Sequence, residues 1–202
     1  MGAEAEAMIA DTITALVSRR PSLAIDVIAR DDALDGLEIE IDELCYEILA
    51  LENPVACDLR FIATVLKIVK DIERVGDIAV NIAERTIELT EDSELKPILM
   101  LPDMAGDVQN IFRQSLDAFV NLDAVLANVV INSDGSIDTT FQQIFLDVTQ
   151  RMLGNPAQIS RGLRLIFIAK HLERVGDHAV NIAEMVIFMV KAQDVRHHRH
   201  LN

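Results

Sequence analysis

Apolar residues recur at three- and four-residue spacing along almost the whole chain, and the alternation of a half-buried strand is absent. That period predicts helices over 3–18, 21–51 and 54–91, then over 102–119, 123–153 and 156–193. Pro21, Pro54, Pro97, Pro102 and Pro156 mark helix starts, where a missing N–H costs no intrahelical bond. Asn53-Pro54 and Asn155-Pro156 each read as an N-cap followed by a first helical residue. Gly154 reads as a left-handed stop of the helix before it. The helices after Pro54 and Pro156 would each span ~55 Å at 1.5 Å per residue. Short turns between helices of that length predict an elongated antiparallel bundle. The pattern lapses over 92–101, the expected joint between two halves, and fades from Asp194 on.

The halves are copies. Residues 70–84 read KDIERVGDIAVNIAE and residues 170–184 read KHLERVGDHAVNIAE, identical at twelve of fifteen positions. Packing accounts for Ile72/Leu172, Val75/Val175, Ala79/Ala179 and Ile82/Ile182, which form the apolar stripe. It does not account for the recurrence of Glu73, Asp77, Asn81 and Glu84 as Glu173, Asp177, Asn181 and Glu184. On a helix, residues four apart differ by ~40° and residues eleven apart by ~20°, so these side chains share one narrow strip. Gly76 and Gly176 lie inside it, and an interior glycine costs about 1 kcal/mol against alanine. The usual return is close approach of another backbone or a ligand, so the strip is expected to face something crowded.

A second acidic pair precedes each motif: Asp31 and Asp35 in RDDALD, Asp134 and Asp138 in SDGSID. The interval from pair to motif is 42 residues in one half (31 to 73) and 39 in the other (134 to 173). On antiparallel neighbouring helices, such intervals bring the two acidic pairs side by side. Four carboxylates then converge in each half and raise one another's pKa. Two solutions are open: Lys70, Arg74 and their repeat partners neutralise them as on a solvated face, or a multivalent cation binds. Carboxylates on facing helices are a known way for bundles to hold metals, and all-oxygen ligands favour hard ions such as Fe, Mn, Mg or Ca. Ferritin-like di-iron sites require Glu-x-x-His, which this chain lacks. His171 and His178 flank only the second motif, with Asp71 and Ile78 at the matching places, and read as rim residues.

Composition narrows the partners. The net charge is −15, with 33 acids against 18 bases, which excludes the basic footprint of a nucleic-acid binder. Polyanions are poor partners on this count; cations and basic protein surfaces are better ones. No apolar run reaches the ~18 residues of a membrane span, so membrane contact would come through partners. Cys45 and Cys57, with no signal-peptide pattern at the N-terminus, read as buried thiols of a cytoplasmic protein.

ERVGDIAVNIAE, ERVGDHAVNIAE, DLRFIATVLKI at 58–68 and FMVKAQDVRH at 188–197 together resemble the PhoU family, the phosphate-specific transport system accessory proteins. The resemblance covers nearly the whole chain. It implies an all-α fold of two pseudo-symmetric three-helix bundles, here 1–92 and 93–202. It also implies multinuclear iron or zinc clusters on acidic motif pairs, other hard divalent ions being an alternative. Carried over, one cluster would use Asp31, Asp35, Glu73 and Asp77, and the other Asp134, Asp138, Glu173 and Asp177. Asn81, Glu84, Asn181 and Glu184 would be lesser members. The implied function is a negative regulator acting between a phosphate ABC transporter, through its ATPase, and a membrane sensor histidine kinase; a homodimer is compatible. The family extends further at the N-terminus, so Met1 reads as a truncated or re-annotated start. The second half is poorer in acids, with Ile131-Asn132-Ser133 and Thr139-Thr140 around its pair, and is expected to bind metal more weakly or with help from the histidines.

A non-enzyme is favoured, because no Ser-His-Asp or Cys-His set and no phosphate-cradling glycine loop stands out. A metal-free helical adaptor is the second reading. A metal-dependent hydrolase or oxidase using the same carboxylates is the third.

Overall fold

The computed structural model describes residues 1–90 and 100–195. Among them the chain is all-α: α1 (Gly2–Ser18), α2 (Pro21–Ile28), α3 (Asp31–Glu52), α4 (Cys57–Thr90), α5 (Met100–Asn121), α6 (Ala124–Gly154) and α7 (Ile159–Lys191). A short 3₁₀ turn, Pro156–Gln158, precedes α7. The expected joint over 92–101 and the division at 92/93 fall mostly outside the described residues, as do Pro97 and the end of the tail.

Each half is a three-legged bundle. In the first, α1, α2 and α3 all pack on α4; in the second, α5 and α6 pack on α7 and on each other. The two long helices, α4 and α7, also pack together, and α1 touches α5. Contacts fix their sense: Asp71 meets His178 and Asn181, while Glu88 meets Arg164, so α4 and α7 run antiparallel. A single aliphatic core runs through both halves, with Ile68, Val75, Ala79 and Ile82 on α4 and Ile168, Val175, Ala179 and Ile182 on α7. Phe112 of α5 is its largest fully buried side chain.

The predicted helix 21–51 is broken. α2 stops at Ile28, and Ala29 and Arg30 turn the chain before α3 begins at Asp31. The cause is tertiary. Arg30 donates to Glu4 (2.6 Å) and Asp11 (2.7 Å) on α1, so the chain bends where the guanidinium must reach across. The break also puts Asp31 and Asp32 in the first turn of α3, where the helix dipole favours negative charge.

Three sequence readings at helix ends need correction. Asn53 does not start a helix; it ends α3 in the left-handed conformation (φ 46°), which asparagine tolerates, and α4 begins only at Cys57. Gly154 is the last residue of α6 and has no positive φ; the positive-φ residues described are Arg19, Asn53, Ala56, Leu122 and Ala192. Cys57, at the first position of α4, is exposed, whereas Cys45 is buried. Asn155 does cap, accepting from the Ala157 N–H beside Pro156. Asp123 caps α6, accepting from Val125 and Leu126.

Candidate metal centre

The two acidic strips take their places from one packing device. A Cβ on Gly76 would lie 2.2 Å from Leu34 Cδ2, so the leucine fills the notch that the glycine leaves in α4. Leu34 is wholly buried there, between Asp31 and Asp35 in sequence. In the second half Ile137 occupies the same notch, its Cδ1 3.3 Å from a Cβ on Gly176. What crowds the strip is therefore a neighbouring side chain, and it locks the register of α3 on α4 and of α6 on α7.

That register brings two of the four predicted first-half carboxylates, Asp35 and Glu73, into one close group, with Asp31 and Asp77 outside it. In the first half Asp35, Glu38 and Glu73 each offer an oxygen within 4.8 Å of the others. Burial, then Asp35, Asp77 and Asp32, pushes the Asp31 carboxyl above its ordinary range. Burial and Asp77 likewise push Glu73 up, against the lowering effect of Arg74, with Glu38 and Asp35 adding to the rise. Asp31 Oδ1 is buried with no hydrogen-bond partner among the described residues. Asn81 faces its own helix, donating to the Asp77 carbonyl at 2.7 Å, and Glu84 is exposed.

In the second half the predicted acids influence one another electrostatically, but among the described residues no three of them bring ligand atoms within 4.8 Å of one another. Burial, then Glu173, Asp134 and Asp138, raises Asp177 to about 6, with Lys170 the opposing influence. Asp134 is buried, at 8 % exposure. Asn181 leans away toward the first half, donating to Asp71 at 3.1 Å, and His178 Nδ1 holds the same Asp71 oxygen at 2.8 Å. His171 faces a groove lined by Arg85, Arg164 and Arg174. Glu184 is buried beside the core.

Cations differ between the halves. Lys70 pairs with Glu38 and, at 3.9 Å, Asp42; Arg74 reaches Glu73 (3.4 Å) and Asp77 (2.9 Å). In the second half Lys170 pairs with Glu173 at 2.5 Å and lies 5.4 Å from the Phe141 ring centre. Phe141 stands where the register puts Glu38 in the first half, so that strip loses an acid and gains a ring. Glu38 is the ligand candidate that sequence reasoning missed. Its signal was its place on the Asp31–Asp35 face, but the repeat does not preserve it.

Clustered carboxylates with raised pKa and a buried oxygen lacking a partner fit a hard cation, whose charge would favour the ionised forms. The donors are all oxygen; in the first half Asp35 is exposed while Glu38 and Glu73 are half-buried.

Acidic strips on the long helices of a duplicated helical bundle define a class of all-α repeat proteins. Residues 1–86 and 101–186 each match the PhoU domain. The chain is 40% identical over 198 residues to the phosphate-specific transport system accessory protein PhoU homolog of Pseudomonas putida, covering 98% of this chain and 77% of that one. The homolog from Pseudomonas aeruginosa is 39% identical over the same length, with 82% of it covered. The crystal structure of PhoU from Pseudomonas aeruginosa superposes with a TM-score of 0.93 at 38% identity, covering 96% of this chain and 93% of that one. The phosphate transport system regulatory protein PhoU from Streptococcus pneumoniae gives 0.89 at 25% identity, covering 96% and 91%. The chain belongs to the PhoU family.

Proposed function

We propose that this chain is a metal-binding accessory protein that restrains phosphate uptake and phosphate-starvation signalling. In this reading it acts between the ATPase of a phosphate ABC transporter and a sensor histidine kinase. The observation that carries the metal is the approach of Asp35, Glu38 and Glu73 to within 4.8 Å of one another, next to Asp31, whose buried Oδ1 has no hydrogen-bond partner among the described residues. These residues would hold the ion in the first half, and Asp134, Asp138, Glu173 and Asp177 in the second. A bound cation would supply the positive charge that lets carboxylates on two helices stay ionised while buried. The chain's own residues do the rest: Leu34 and Ile137 fix helix spacing, while Lys70, Arg74 and Lys170 offset part of the charge.

The accessory and regulatory role is supported by the names that the relatives carry. Those names also favour a non-enzymatic role. No helix of the described residues is long and apolar enough to cross a membrane, so in this reading membrane contact runs through the transporter and kinase, from the cytoplasm. The ion pairs of Lys70 and Arg74 favour the second reading, a metal-free adaptor, but they leave Asp31 Oδ1 without a partner.

Metal analysis separates the two. Chain purified without added metal should carry more than one equivalent, reduced in Glu73→Gln/Asp77→Asn. Equal and negligible content in both proteins refutes the cluster. A deletion strain tests the biology: its phosphate-starvation genes should be expressed in plentiful phosphate, and continued repression refutes regulation.

A further inference from the structure

The C-terminal part of α4 and the N-terminal part of α7 enclose a groove of ≈ 690 Å³, inside the range of small-molecule sites. Its character opposes that of the protein. On a chain of net charge −15, it is lined by Arg85, Arg164, Lys170 and Arg174, with Glu88 the sole acid among its described lining residues. Lys170 sits at the rim, turned toward Glu173 and the Phe141 ring. Glu88 lies between two guanidiniums, Arg85 and Arg164, bonding Arg164 Nε at 2.8 Å.

Arg174 sharpens the contrast. Its repeat counterpart Arg74 is spent on Glu73 and Asp77, whereas Arg174 makes no ion pair within 4 Å among the described residues. Positive charges gathered against low-dielectric walls repel one another and concentrate the local potential. Two apolar side chains, Leu163 at 45 % and Phe167 at 56 % exposure, stand beside them.

Packing of the halves does not require this arrangement. At the pseudo-symmetric positions Thr64, Lys67, Asp71 and Met185 stand in place of Arg164, Phe167, His171 and Arg85, while Lys70 and Arg74 repeat Lys170 and Arg174; Asp71 is tied to His178 and Asn181. The same helices thus meet without the arginine cluster.

We propose that this groove binds a nucleoside polyphosphate, its phosphates on Arg85, Arg164 and Arg174 and its base against the exposed ring of Phe167. Guanidinium forks match phosphate oxygens bidentately, and an aromatic face beside them suits a base. An acidic protein segment fits less well, because beyond a Debye length of ~8 Å it would meet an acidic surface. The proposal goes beyond the metal reading and does not depend on it.

Isothermal titration of the full chain, as purified and again after chelation, with ADP and with pyrophosphate tests it. Both should bind saturably before and after chelation. Arg174→Gln and Arg85→Gln should each weaken both by about tenfold, the scale of one lost charged hydrogen-bond pair. Arg113→Gln, the same charge change on exposed α5, should leave both unchanged. Phe167→Ala should weaken ADP and spare pyrophosphate. Absence of saturable binding at millimolar ligand, or equal loss in Arg113→Gln, overturns the site; ADP binding indifferent to Phe167→Ala overturns the nucleoside assignment. Binding that vanishes on chelation assigns the anion to the metal strips and overturns the groove as well.

Discussion

Gly76→Ala tests whether the leucine-filled notch sets the spacing of the first acidic strip. The new Cβ would sit 2.2 Å from Leu34 Cδ2. Carbon atoms are in contact at about 3.5 Å, so something must yield by about 1.3 Å. Leu34 is wholly buried, which leaves either a poorer rotamer or an outward shift of α3. Overpacking of this kind costs about 1–3 kcal/mol, and replacing an interior helical glycine returns about 1 kcal/mol. The net expectation is a loss of about 0–2 kcal/mol. Gly176→Ala starts from 3.3 Å, where a few tenths of an ångström suffice. It should therefore be neutral or gain up to about 1 kcal/mol. For a chain of this size each kcal/mol moves Tm by about 2–4 °C, so Gly76→Ala should melt below Gly176→Ala by up to about 12 °C. Leu34→Ala should cost about 2–5 kcal/mol alone, and combining it with Gly76→Ala should recover part of that sum. A Gly76→Ala protein as stable as Gly176→Ala, or singles that simply add, would refute the notch argument.

Other expectations follow from the charges. An acid whose folded pKa exceeds its unfolded value binds more protons when folded, so stability falls as pH rises between the two. In metal-free protein Asp177, raised from 3.8 to about 6, should contribute such a decline across that window. Asp177→Asn should flatten it in urea midpoints taken from pH 4 to pH 7; an unchanged slope counts against the strip's geometry. Asp71→Ala removes the bonds to His178 and Asn181 that join the halves, and should cost about 1–3 kcal/mol in chemical unfolding. A loss below about 0.5 kcal/mol, the level of an ordinary surface change, would make that contact incidental. Staged metal titration of Glu73→Gln/Asp77→Asn against Glu173→Gln/Asp177→Asn should remove the tighter phase in the first variant, and the reverse order would contradict the richer donor set around Glu38.

The helical period announced the bundle because nearly every leg buries one aliphatic stripe, and the duplication pointed to the acidic strips, of which Asp35 and Glu73 meet in one close group. The break at Ala29–Arg30 was not legible. No glycine or proline marks it, since its cause is a guanidinium reaching Glu4 and Asp11 on another helix. Asn53-Pro54 misled because asparagine serves both ends of a helix, and the local sequence does not say which. Glu38 was hidden by the same device that revealed its neighbours: looking for what repeats discards an acid whose counterpart is Phe141. The arginine groove escaped for a related reason: Arg85 and Arg164, nearly eighty positions apart, meet there, and neither has a basic counterpart in the other half.

Asp71 gives the bundle a thermodynamic consequence of its own. It belongs to the first half, yet its partner Asn181 lies one helical turn beyond Asp177 in the second. A ligand that draws Asn181 toward the second strip must give up part of the seam. Linkage then requires the converse: whatever loosens the seam changes affinity at the strip by the same factor. Coupling between the seam and the second strip would reside in one carboxylate, and Asp71→Ala would remove it without touching any acid of either strip.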